Sequence, residues 1–346
     1  MKKTFKLILK TISVILWLLL ISGKTYAGYE SVSHIVGKYN HYTDICCYLF
    51  NGVCQACVKE EPDPNNCTTS LPSLIEPYTM QEIWSYYLGQ MNYNDIHDWA
   101  DDDVQGKYWS DIDWFSWGLD TSHPRGTDWA DVILYDGHGG ACCNGVAGAE
   151  GAPFGCSAGN YFTAFSMGDQ GGYPSSCWIR SDNVASNHGH MRFGYASWNE
   201  SKDANFLVTF ACNSAEYCAW QHSGWDDVTP GIMRLVLGWH GEYAGLQINS
   251  SLFVSYMIDS DDEYAALHWI SYMYVPEYDG TYDNCPVAMT WGPTHNGIFY
   301  TIYQYEAFKN LKDNNWTNSL SEYYFVQGCT PWGEITSLPP TSPASR

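Results

Sequence analysis

Positive charge is scarce in this chain: 16 Lys and Arg stand against 38 Asp and Glu, a formal charge of −22 at pH 7. A surface this acidic offers no footing for phosphate backbones or anionic headgroups, which excludes nucleic-acid partners. Beyond the first 27 residues there is no long apolar run, so no integral membrane segment is expected in the rest of the chain. Internal repeats are absent, as are an HExxH motif and an acidic loop with EF-hand spacing. Charged residues make up only 16%, but aromatics make up another 16%, enough to build an extensive core rather than a disordered chain.

What is present begins with a leader. Lys2, Lys3, Lys6 and Lys10 precede an apolar run from Ile12 to Ile21, and Ala27 supplies a small residue before Gly28. A basic start, a short apolar middle and a small-residue exit predict a cleavable signal peptide over 1–27. The apolar run falls short of the roughly 20 residues that span a bilayer. Cleavage removes five lysines and leaves a mature chain of charge −27, secreted or periplasmic/extracellular.

All 13 cysteines follow the leader. In an exported protein most should pair as disulfides, and an odd count leaves one thiol in a monomer. Cys46, Cys47, Cys54, Cys57 and Cys67 crowd a loop-like, proline-containing stretch, which predicts a disulfide-stapled N-terminal extension over 28–78. Export favours disulfides over zinc or redox chemistry for the Cys54–Cys57 CxxC spacing.

Residues 79–333 are expected to form one α/β domain, with an insertion at 140–200 pinned by Cys142, Cys143, Cys156 and Cys177. A disordered tail is expected over 334–346. Thr79 and Glu82 have capping-box spacing and predict a helix over 79–91. Residues 92–129 are rich in Asp and Trp; clustered carboxylates can hold calcium, but without EF-hand spacing a solvated acidic face is the better expectation. The short apolar runs Asp131–Tyr135 and Phe206–Phe210 predict strands of a mainly parallel sheet covered on both faces by helices. A third strand is expected near 235–240, a helix over 261–274 and a late strand over 285–292. The periodicity of 300–311 fits helix or strand.

The first two strands each end in a chemically able residue. His138 follows one, between Gly137 and Gly139; Cys212 follows the other, between Ala211 and Asn213-Ser214. Catalytic groups of open α/β sheets gather at the carboxyl ends of the strands. If the two strands are neighbours, a thiol and an imidazole meet there, the minimum for nucleophilic acyl transfer. Gly139 allows bare backbone to approach an oxyanion, with the Cys212 N–H as second donor. Asp136 is placed to orient His138 or to cap the turn. Asn213, Ser214, Trp239 and His240 are candidates for the cleft or for orienting roles.

These blocks, Val132-Ile-Leu-Tyr-Asp-Gly-His-Gly139 and Leu207-Val-Thr-Phe-Ala-Cys-Asn-Ser214, resemble the two catalytic blocks of the caspase–hemoglobinase-fold (clan CD) cysteine peptidases. That superfamily includes legumains, caspases, gingipains, separases and clostripains. Leu235–Trp239 and Cys285–Gly292 resemble later strands of the same fold. The resemblance covers roughly 130–292. It implies a caspase–hemoglobinase-like sandwich, a peptide or protein substrate, no cofactor or metal, His138 as general acid/base, Cys212 as nucleophile and Gly139 at the oxyanion. The chain departs from the pattern at Phe210, where many members carry an acid or amide, and in the 74 residues separating His138 from Cys212.

Three other outcomes are open on the sequence. Cys212 could pair with Cys218, leaving an inactive member of the fold that binds protein or, through Trp109, Trp114, Trp117 and Trp129, glycan. His188 and His190 with His222 or His240 could bind zinc, although no signature spacing supports it. A metal-dependent hydrolase would require His and Asp ligands converging away from Cys212.

Overall fold

The protein is described by a computed structural model. It describes residues 29–37, 45–50, 53–58, 74, 76–91, 93, 95–110, 115–148, 156–168, 178–181, 189–190, 204–222, 225, 233–241, 265–273, 285–294, 296 and 320–325. The leader, the tail, the 300–311 segment and Cys177 lie outside these residues.

A seven-stranded sheet organises the chain. Its strands are β1 (Glu30–Ile35), β4 (Asp95–Ala100), β5 (Val132–Asp136), β11 (Phe206–Phe210), β12 (Leu235–His240), β13 (Cys285–Gly292) and β14 (Leu320–Phe325). Their order is β14-β13-β12-β11-β5-β1-β4. The five strands from β4 to β12 are parallel; β13 and β14 are antiparallel at one edge. The mainly parallel α/β architecture expected from the apolar runs is therefore present.

Alternation along each strand sends successive side chains to opposite faces. On one face Val132, Leu134, Val208, Phe210, Leu237 and Trp239 pack under two helices, α1 (Glu76–Gln90) and α3 (Ala265–Tyr272). The helices supply Trp84, Leu88, Trp269 and Ile270 to that layer. On the other face Ile133, Tyr135, Leu207 and Val236 pack against Trp109, Phe165, Met167 and Ile179. Fully burying one such side chain contributes about 1.5–3 kcal/mol.

The second face differs from expectation. Among the described residues its cover comes mainly from a small sheet and the 3-10 turn Gly106–Trp109, with only the short α2 (Tyr217–Gln221) as helix. The small sheet occupies the predicted insertion: β6 (Gly139–Cys143), β7 (Val146–Gly148), β8 (Tyr161–Ser166), β9 (Trp178–Arg180) and β10 (Gly189–His190), ordered β10-β9-β8-β6-β7. Cys142 bonds to Cys156 within it, but Cys143 reaches out to Cys218.

Two further differences concern the N-terminal third. Residues 30–35, expected in a loop-like extension, are β1, set between β5 and β4. Ser31, Ser33 and His34 disguise the strand in the sequence, yet all three are buried. Of the described residues in that expected extension, β2 (Ile45–Phe50) and β3 (Val53–Val58), an antiparallel pair, stand apart from the main sheet. The predicted helix starts earlier, at Glu76, with Pro77 in its first turn, where a missing N–H costs no bond.

Several aspartates of 92–129 are partnered as well as solvent-facing: Asp98, Asp102 and Asp103 are exposed. Asp98 accepts from Ser33 and Ser85, each at 2.6 Å, and Asp101 accepts from Tyr78 at 2.6 Å. Asp103 pairs with Arg125 at 3.0 Å. Among the described residues no helix is long and apolar enough to cross a membrane.

Candidate active site

β5 and β11 are adjacent and parallel, with Asp136 opposite Phe210. His138 and Cys212 each lie two residues beyond that pair, so the register brings the two chain exits side by side at the carboxyl edge of the sheet. Both residues are partly exposed within an otherwise buried rim. The chain reverses direction across the sheet next to this pair of strands, between β1 and β5. β4 lies to one side of β1 and β5 to the other, so the crevice between β1 and β5 is a switch point of the kind that hosts ligands.

Gly139 shows how closely the exits pack. A methyl group at its Cα would lie 2.2 Å from the Cys212 carbonyl oxygen and 2.9 Å from the Ala211 Cβ. No side chain fits, because the obstacle is backbone. The His138 carbonyl is fixed in turn: it accepts from the Ser166 N–H at 3.0 Å and lies 3.1 Å from the Tyr135 hydroxyl, which is closer still, at 2.7 Å, to the Ser166 carbonyl.

The turn that carries Cys212 is pinned to β12. Asn213 adopts φ +53°, a left-handed conformation that Asn tolerates better than most residues. Its N–H donates to the Gly241 carbonyl at 2.7 Å, and the Ala215 N–H donates to that of Trp239 at 2.9 Å. Ser214 Oγ accepts the Trp239 N–H at 3.1 Å and lies 2.6 Å from Thr209 Oγ1. Tyr323 holds the far side, its hydroxyl donating to the Ala215 carbonyl at 2.6 Å. Burial keeps that hydroxyl's pKa well above its usual value, so it stays a donor.

Cys212 is in no disulfide. Cys218, its alternative partner, is bonded to Cys143 with Cα atoms 5.9 Å apart, and Cys285 is also oxidised. The Cys143–Cys218 bond ties β6, which leaves His138, to α2, which follows Cys212. The Glu216 carboxylate lies within 4.8 Å of both sulfurs, but their bond to each other removes them as metal ligands.

The remaining candidates face the protein. Asp136 is buried at the end of β5. Trp239 is buried, its indole N–H donating to the Thr209 carbonyl at 2.9 Å and its ring 5.2 Å from Trp269. His240 is buried too, with Nδ1 2.7 Å from Glu216 Oε1. The other oxygen of Glu216 accepts the Gly241 N–H at 3.2 Å. The Tyr217 N–H also points at His240 Nδ1, but at 3.4 Å; the shorter Glu216 contact marks Nδ1 as the donor. Glu216 was not among the sequence candidates. Its only signal was a lone acid four residues past Cys212, and the partner that fixes it lies 24 residues farther on.

The histidines weighed as a zinc set do not come together among the described residues. His222 is exposed and stacks on Tyr161 with centroids 4.0 Å apart, while His240 is inside; His188 and the His190 side chain lie outside the description. Of the tryptophans offered as a sugar surface, Trp109 and Trp129 are buried, Trp117 is partly exposed beside Phe115, and Trp114 lies outside the description.

A cysteine thiol and an imidazole on adjacent strand ends, with glycine backbone between them, can support attack on a carbonyl. Comparison with protein-family models, curated proteins and solved structures finds no match for this chain.

Proposed function

We infer that the chain is an exported cysteine peptidase-like hydrolase of the caspase–hemoglobinase type, cleaving peptide bonds with Cys212 and His138. The observation that carries this reading is the parallel register of Asp136 with Phe210, which sets the two residues on neighbouring strand ends. The thiol of Cys212, kept out of any disulfide, is the second support.

In the proposed cycle His138 takes the Cys212 proton as sulfur adds to the substrate carbonyl. Backbone N–H groups at Gly139 and Cys212 receive the oxyanion. The amine leaves with the proton from His138, and water, deprotonated by the same imidazole, releases the thioester as a carboxylic acid and restores the thiol. Asn213 and Ser214 act by holding the turn, and Glu216 with His240 by bracing it from beneath.

The test is alkylation of the native, non-reduced protein followed by peptide mapping. Rapid iodoacetamide labelling of Cys212 at near-neutral pH, slowed by His138→Ala, is expected. Labelling indifferent to His138 would leave an inactive member of the fold, and a disulfide at Cys212 would end the peptidase reading.

A further inference from the structure

A second group of chemistry-bearing residues lies away from this edge. Asp95 and His97 are two apart on β4 and so share one face of the edge strand. His123, from the loop ahead of β5, joins them. His123 Nε2 lies 2.9 Å from Asp95 Oδ2, and His97 Nε2 lies 2.5 Å from Asp95 Oδ1. One donor atom from each residue falls within a 4.8 Å cluster.

Two details distinguish this from a solvated acidic patch. His97 Nε2 itself is buried, and its polar contact among the described residues is the Asp95 carboxylate. Both rings also pack on one tryptophan: Trp129 meets His123 edge-on at 4.6 Å and His97 at 5.6 Å. Arg125 covers Trp99 at 4.1 Å, and the Trp99 indole donates to the Pro124 carbonyl at 3.2 Å, fixing the loop that carries His123.

We propose that Asp95, His97 and His123 form a binding site for a borderline divalent transition metal, Zn²⁺ being the best match, with its remaining positions open to solvent. Two neutral imidazoles and one carboxylate are the ligand set such ions take; Ca²⁺ and Mg²⁺ prefer oxygen throughout. His123 is the adaptable ligand, its side chain 58% exposed. The ion would clamp the edge strand β4 to the 119–125 loop. Asp95 lies level with the start of β5, since β1 pairs Glu30 with Asp95 and Ser31 with Val132. The site is therefore at the amino end of the sheet, opposite the His138–Cys212 edge, and does not depend on the peptidase reading.

The experiment uses the full exported chain, stripped with EDTA and titrated with Zn²⁺ by calorimetry, with thermal unfolding alongside. One equivalent bound, with a raised melting temperature, is expected; Ca²⁺ at the same concentration should give neither. His123→Ala, at an exposed position, should fold normally by circular dichroism yet bind at least about tenfold more weakly and lose the thermal shift, and Asp95→Asn should do likewise. Co²⁺ in place of Zn²⁺ should give visible d–d absorption that both variants lack. Absence of stoichiometric Zn²⁺ binding, or binding unchanged in both variants, would overturn the site.

Discussion

At the residue scale, the site is governed by clearance. Gly139 sits where any Cβ meets the Cys212 carbonyl, so Gly139→Ala should cost about 1–3 kcal/mol in denaturant unfolding by overpacking. The same variant should slow Cys212 alkylation, because relief of the clash pushes the two exits apart. Asn213 offers a complementary test: at φ +53° a β-branched residue is strained, so Asn213→Val should lose about 1–2 kcal/mol while Asn213→Gly stays near wild type. Melting curves of the pair separate backbone conformation from the amide's own contacts. His138 and Cys212 were legible in the sequence because each ends an apolar run, a pattern that fixes position along a strand. The proximity of His123 to Asp95 was not legible, since 28 residues and a loop separate them and no spacing rule links a loop to an edge strand.

At the element scale, what matters is how the two exits are tied together. The Cys143–Cys218 bond closes a loop of 75 residues. Replacing both cysteines by serine should lower stability by roughly 2–4 kcal/mol, read by chemical unfolding. Glu216 braces the same region from below. Glu216→Ala leaves His240 Nδ1 buried without its acceptor and should cost about 1–3 kcal/mol, with Glu216→Gln recovering much of it. β5, β11, β12 and β13 could be read from sequence because strands covered on both faces must be apolar at nearly every position. β1 and β4 could not. Several of their polar groups meet neighbours far along the chain, as when Ser33 meets Asp98 and Trp84 meets Ser31. Burial there is bought with hydrogen bonds that local pattern does not reveal.

At the scale of the whole molecule, acid sensitivity follows from one buried imidazole. His34 lies inside the sheet, its ring 5.2 Å from Trp109, and burial lowers its pKa from 6.5 to about 3. The folded chain therefore refuses a proton that the unfolded chain accepts. Stability from this group is complete above pH 6.5 and drains away as pH falls from 6.5 toward 3. Between pH 6.5 and 5, wild type should lose on average about 1 kcal/mol per unit relative to His34→Leu, the slope steepening toward about 1.4 kcal/mol at the lower end, measured as the widening gap between their unfolding free energies.

The placing of β1 has a consequence for how such a chain is made. The Glu30 N–H bonds to the Asp131 carboxylate across 101 residues of sequence, and β1 is flanked only by strands that follow it. A strand that leaves a channel or ribosome early must wait, unpaired, for both neighbours to arrive. Central sheet assembly is then a late, all-at-once event, with slow folding and a need for protection of the nascent N-terminus. Truncation past Glu30–Ile35 would remove not an extension but the seam between β4 and β5.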